Sequence, residues 1–214
     1  MDRVSTDWKA YLTHKLEESR AALGDRSWFA ELCAEEPTAL ALGKQATLLE
    51  IVLLGEPTLR RVAEQVSTSM LGTPALRAYA ESLKATMLDA QGVGLAAPQV
   101  ADGLRCFAYW LPAGIEHPEA PQIGPQVLVN PVIRVKQPTL VEALEGCLSI
   151  PGLRGQVPRF QTIEVRAVDV EGNPLEFEAS GFHARVIQHE FDHLDGVVYL
   201  DRMTSMLSLH FEEA

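Results

Sequence analysis

The chain has 214 residues, 47% of them hydrophobic, and a formal net charge of −11. That length suits one domain with an appendage, and the apolar fraction is enough to bury a sizeable core. The acidic balance argues against an extended nucleic-acid footprint, so no direct sequence-specific nucleic-acid binding is expected.

The opening segment lacks an apolar h-region and carries Asp2, Asp7, Glu17 and Glu18, which fits neither a secretory nor an organellar leader. No run approaches the roughly 18 apolar residues of a membrane span. Three widely spaced cysteines, Cys33, Cys106 and Cys147, make a poor disulfide framework. A reducing cytoplasm is the expected compartment.

Residues 1–46 read as a polar, helical N-terminal extension, with Trp8, Leu12 and Leu16 at four-residue spacing. Ser27 is placed to cap a second short helix carrying Trp28, Phe29 and Leu32 before Pro37. The character changes near Leu48, and residues 47–214 read as the main domain. Thr73-Pro74 is a cap followed by proline at the first helical position, opening a helix that runs toward Leu88 and stops by Gly92. β-rich runs follow at 105–110, 126–135, 162–170 and 175–178, with a turn at Gly172-Asn173-Pro174. From Gly181 to about Leu194 the pattern is helical again. A helix, several antiparallel strands and a late helix predict an α+β fold.

Three segments carry chemistry. In Gln188-His189-Glu190-Phe191-Asp192-His193, histidines at i and i+4 sit one above the other on a helix and can reach one metal ion. Glu190 lies about 100° around that helix, close enough to handle a proton on a water without being a ligand. The bland alternative is two surface histidines that happen to be four apart. Asp192 reads as a hydrogen-bonding support.

Two histidines leave a catalytic site one protein ligand short. The downstream candidates His210, Glu212 and Glu213 fall in the last five residues. Cys147, in Glu145-Gly146-Cys147-Leu148-Ser149, is the better one, because Gly146 lets the backbone approach a bound group. A lone cysteine is otherwise most often a small buried hydrophobe.

The third segment, Gly92-Val93-Gly94-Leu95-Ala96-Ala97-Pro98-Gln99, lacks the pattern of a phosphate loop. Its small residues suit a backbone lying against an extended peptide, with Gln99 supplying an amide donor. Read alone, it is first of all a helix stop followed by a tight packed loop. Phe182 and Val186 fall on the helix face of His189, where they line either a side-chain pocket or simply the core.

With GVGLAAPQ, EGCLS and HEFDH present in order, the chain resembles the peptide deformylase family from about Leu48 to Met203. The resemblance implies antiparallel strands around a central HExxH helix. It implies removal of formyl from the N-terminal formylmethionine of new polypeptides. It further implies metal ligands Cys147, His189 and His193, the proton carrier Glu190, and oxyanion donors Gln99 and the Leu148 N–H. Val93, Gly94, Gly146, Phe182 and Val186 are the substrate-binding candidates.

One divalent ion is expected, with Fe2+ favoured and Zn2+, Ni2+ or Co2+ accommodated in preparations. Expected partners are N-formylmethionyl nascent peptides. Docking on the ribosome near the exit tunnel is left open, because the long basic C-terminal helix of some members is missing. The ending Tyr199-Leu200-Asp201-Arg202-Met203 looks more like the organellar-type branch. The state is a monomer, or a dimer through the N-terminal extension. The rival readings are an ordinary zinc endopeptidase using His210 or Glu212, and a binding module that lost catalysis.

Overall fold

A computed structural model describes residues 46–112 and 120–212. The expectations for residues 1–45, including the stripe of Trp8, Leu12 and Leu16 and the capped segment at Ser27, lie outside the described residues.

The architecture of the described residues is α+β. Helix α1 (Pro74–Asp89) begins where the Thr73-Pro74 pair places it, with Thr73 Oγ1 accepting from the Leu76 N–H at 3.3 Å. It packs Leu76, Ala80, Leu83 and Met87 into a cluster with Leu95, Ala108 and Trp110. Strand β1 (Gly94–Ala96) forms within the glycine–alanine segment, and Gln99 sits on the 3-10 turn Ala97–Val100 behind it. Strands β2 (Cys106–Leu111), β3 (Ile123–Cys147), β4 (Ile150–Val168) and β5 (Pro174–Ser180) follow. The sheet runs β1-β2-β3-β4-β5, antiparallel throughout, with the short β6 (His210–Phe211) added to β4.

The strands are much longer than the sequence pattern predicts. The run expected at 126–135 is part of a 25-residue strand, and the one expected at 162–170 is the end of a 19-residue strand. Together β3 and β4 form one long ribbon, bent by register shifts, whose turn is Leu148-Ser149. Residues such as Lys136, Gln137, Pro138 and Thr139 hide the strand because this part of the ribbon is exposed and need not alternate. At one bulge Asn130 adopts φ 52°, and its amide closes on the Val66 backbone with two bonds of 2.8 Å.

Helix α2 (Gly181–Leu194) lies against β1, β2, β4 and β5. Ten of its residues are buried, among them Arg185, Gln188, Glu190, Asp192 and His193. The Gln188 side chain meets the backbone of Phe160 as another strand would, accepting from its N–H at 3.0 Å and donating to its carbonyl at 2.8 Å. At the helix end, Arg105 donates to the Leu194 carbonyl and to Asp195, and lies over the Phe191 ring at 4.9 Å. Helix α3 (Tyr199–Arg202) then leads into β6.

Candidate active site

The site forms where α2 meets the β3–β4 turn and β1. The ligand atoms of Cys147, His189 and His193 lie within 4.8 Å of one another. Each arrives from a different constraint. Cys147 is the last residue of β3, held at the turn, and the two histidines are one helical turn apart on α2. Cys147 Sγ is 3.3 Å from His193 Nε2.

A metal ion fits this arrangement. Metal–ligand bonds of about 2.0–2.3 Å in a tetrahedron put donor atoms under about 4 Å apart, so the three need only a small adjustment to close on one ion. His189 uses Nδ1 on Glu145 at 2.8 Å, which leaves Nε2 for the centre of the cluster. His210 is exposed on β6, and Glu212 pairs with Arg154 at 2.7 Å. Neither joins the cluster, and Glu213 lies outside the described residues.

Glu190 is buried, and among the described residues its Oε2 has no hydrogen-bond partner. Burial pushes its carboxyl up to about 7. Its other oxygen lies against β1, where a Cβ on Gly94 would come within 2.1 Å of Glu190 Oε1. Glycine at 94 is therefore required by the carboxylate as much as by the strand. Leu148 closes in a similar way on Gly92, whose added Cβ would meet its side chain at 2.8 Å.

Gln99 is almost fully buried. Its Oε1 accepts from the Ala96 N–H at 2.8 Å, which turns Nε2 toward Cys147 Sγ at 3.4 Å and Ser149 Oγ at 3.3 Å. The stretch before α1 pins both loops from outside. Val52 N–H donates to the Gln99 carbonyl and Leu54 N–H to the Ser149 carbonyl, each at 2.8 Å.

Behind the cluster stands a buried charge network for which the motifs gave only partial notice. Glu145 accepts from Arg159 through both oxygens at 2.9 Å, from Arg185 at 2.8 Å and from His189. Arg159 continues to Asp192, which also takes a two-pronged contact from Arg202 at 2.6 and 3.0 Å. Burial alone would raise the Glu145 carboxyl, but Arg159 and His189 outweigh it and hold it well below the usual range. Burial likewise opposes charge on His189, yet Cys147 and Glu145 hold that imidazole well above its ordinary value. His193 goes the other way, pushed well down by burial. Tyr199 packs nearly parallel to the His189 ring at 6.3 Å and donates from its hydroxyl to the Leu153 carbonyl at 3.1 Å.

Of the remaining sequence candidates, Val93 and Gly94 lie at the sheet edge formed by β1, and Gly146 precedes Cys147 beside Arg154. Phe182 lines a cavity of about 240 Å³ with Val141, Ala143, Phe160 and Arg185. Val186 does not line it. It sits in the core with Phe107 and Ile163. Sequence reasoning gives Arg159 and Arg185 no role, because charged residues default to the surface.

An antiparallel sheet wrapped on an HExxH helix, with a cysteine delivered to both histidines, defines a metal-dependent hydrolase. The family model described as Polypeptide deformylase matches residues 48–208. Peptide deformylase 2 of Nostoc sp. is 43% identical over 166 residues, 78% of this chain and 92% of that protein. Peptide deformylase 2 of Pseudomonas syringae is 40% identical, over 75% of this chain and 90% of that one. The Met-Ala-Ser-bound class I type b peptide deformylase of Acinetobacter baumannii superposes with a TM-score of 0.70 at 36% identity, covering 74% of this chain and 99% of that one. The enzyme from Thermotoga maritima gives 0.66, with the same identity and coverage.

The chain belongs to the peptide deformylase family, enzymes that remove the N-terminal formyl group from the formylmethionine of newly made polypeptides. Among the described residues no helix is long and apolar enough to cross a membrane.

Proposed function

We propose that Cys147, His189 and His193 hold one divalent ion and that Glu190 moves the protons of deformylation. The observation that carries this is the buried Glu190 carboxylate, one oxygen without a partner, beside a three-donor cluster. The ion supplies Lewis acidity, polarising the formyl carbonyl and making a water acidic near neutral pH. A thiolate among the donors suits a soft or borderline metal and disfavours magnesium or calcium. Family resemblance favours Fe2+, and the same donors accept Zn2+, Ni2+ or Co2+.

Glu190 takes a proton from the attacking water and hands it to the amine nitrogen as the carbon–nitrogen bond breaks and formate leaves. Gln99 Nε2, already turned toward Cys147, and the Leu148 N–H donate to the oxyanion that develops on the formyl oxygen. The substrate backbone lies along Val93-Gly94 by addition to the edge strand β1, with Gly146 on its other side. The first side chain enters the cavity beside Phe182, and Val186 backs it from the core.

The substrates are N-formylmethionyl nascent peptides met in a bacterial cytoplasm near the ribosomal exit tunnel. The enzyme is a monomer, or a dimer in which two copies associate through the extension at 1–46. Glu190→Gln tests the assignment. At matched metal content, turnover of formyl-Met-Ala-Ser should fall by about 10² to 10⁴ while the ion stays bound. A metal-loaded variant with near wild-type turnover would overturn it.

A further inference from the structure

The wall of the side-chain cavity is not wholly apolar. Phe160, Phe182, Val141 and Ala143 form its apolar part, but Arg159, Gln161 and Arg185 also line it, Arg185 buried to 8% exposure. This guanidinium is held by three acceptors from the site's framework. Nη1 donates to Glu145 and to the Val157 carbonyl at 2.8 Å each, and Nη2 donates to the Val141 carbonyl at 2.6 Å. That commits three of the five N–H groups of an arginine. Among the described residues the other two have no protein acceptor of their own. Burial lowers the basicity of the group against the pull of Glu145, so its charge is poorly solvated.

A poorly hydrated cation in an aromatic-walled cavity favours any guest that brings electron density to it. A methionine thioether is a weak acceptor and polarizable, whereas norleucine has the same length and no acceptor. A sulfoxide oxygen is a stronger acceptor than either.

We propose that Arg185 is a specificity-determining residue, selecting first side chains that carry an acceptor at the sulfur position, so that the enzyme prefers methionine to norleucine and also accepts methionine sulfoxide. This rests on the proposed function only in placing the first side chain in this cavity.

The discriminating measurement is kcat/KM, with matched metal content, on formyl-Xaa-Ala-Ser peptides carrying methionine, norleucine, methionine sulfoxide or alanine. For wild type, norleucine should fall about five-fold below methionine, the effect of one modest hydrogen bond, and the sulfoxide should stay within about five-fold of methionine. In Arg185→Leu the methionine–norleucine gap should close, and the sulfoxide should lose about 20-fold relative to methionine. Arg185→Lys, which keeps charge without the fork, should fall between.

Wild-type enzyme that treats methionine and norleucine alike and rejects the sulfoxide overturns the proposal, even if neither Arg185 variant folds. Ratios unchanged in both variants overturn it too. Ala143→Phe separates this from the placement of the side chain, because filling the cavity should depress methionine far more than alanine. If that ratio does not move, the cavity is not where the first side chain goes. If it moves, the Arg185 comparison stands as its own test.

Discussion

The two long helices of this molecule are buried for opposite reasons. The inner face of α1 carries Leu76, Ala80, Leu83 and Met87, with Thr86 as a polar exception whose hydroxyl returns to the Ser82 carbonyl. Leu76, Leu83 and Met87 each contribute on the order of 1.5–3 kcal/mol by leaving water, and the Ala80 methyl less. Helix α2 buries Arg185, Gln188, Glu190, Asp192 and two histidines besides His189, groups that cost free energy to desolvate unless each finds a partner. Nearly every one does, through Glu145, Arg159, the Phe160 backbone or Arg202. The exceptions are Glu190 Oε2 and His193 Nδ1, both in the HEFDH segment. One helix supplies stability, and the other is held in place by the rest so that its polar groups can face inward.

The sharpest way to break that division is to disturb Glu190 without touching it. Gly94→Ala would put a methyl 2.1 Å from Glu190 Oε1, on a strand whose backbone is fixed by β2. Turnover should fall by about 10² or more, approaching the loss from removing the general acid–base itself. Metal content and melting temperature should change little. A Gly94→Ala enzyme with wild-type kcat would show that the carboxylate has room to move.

Next in size is Glu145→Gln, which keeps the shape but removes the charge shared by Arg159, Arg185 and His189. Arg185 loses its carboxylate partner and Arg159 is left with Asp192 alone, so stability should drop by about 3–5 kcal/mol. His189 also loses its orienting acceptor, and metal affinity should weaken by about 10- to 100-fold. Competition with a chelator reads the second effect separately from the denaturation midpoint. Unchanged affinity would mean that α2 alone orients His189.

The apolar helix gives the converse result. Leu83→Ala, at a fully buried position of α1, should cost about 2–5 kcal/mol. Activity per metal-loaded folded molecule should stay close to wild type, because the apolar cluster built on α1 includes none of the metal donors. A large fall in kcat with full metal content would erase the distinction between the two helices.

The same contrast explains what was legible in the sequence. Helix α1 announces itself through Thr73-Pro74 and an apolar period, and the HEFDH spacing places two histidines on one face of α2 whatever surrounds them. The glycine segment and the cysteine motif show small residues where a backbone must come close, and Gly94 against Glu190 is what that smallness is for. The network behind the cluster is different. Glu145, Arg159, Asp192 and Arg202 are scattered over almost sixty positions, and only the fold of the β3–β4 ribbon brings them together. Its exposed half, from Lys136 to Leu144, carries no hydrophobic alternation, so neither the length of the strands nor the position of Cys147 at their turn is written locally.

The smallest predicted effect concerns the one buried histidine of α2 outside the metal cluster. His183 is stacked between Tyr109 and Phe177, with ring centroids 5.6 and 5.5 Å away, and its Nε2 is 3.4 Å from the Tyr109 hydroxyl. Burial lowers its pKa to about 4, against an unfolded value near 6.5. The folded protein therefore keeps His183 neutral while the unfolded chain takes up a proton. Its contribution to stability is complete above about pH 6.5 and drains away as the pH falls toward 4. By pH 5 the loss from this residue amounts to about 2 kcal/mol. Glu145 acts on another window, since a carboxyl held below its ordinary range begins to cost stability only below about pH 4.5. His193 shares the sign of His183, so the comparison must be between proteins that differ at position 183 alone, both freed of metal by chelation. Phenylalanine keeps the aromatic stack and removes the titration. Denaturation of wild type and His183→Phe between pH 7.5 and 5 should give a difference that shifts by about 2 kcal/mol in favour of the variant as the pH drops. A difference that stays flat across that range would show that water reaches the imidazole and that the aromatic stack does not keep it neutral.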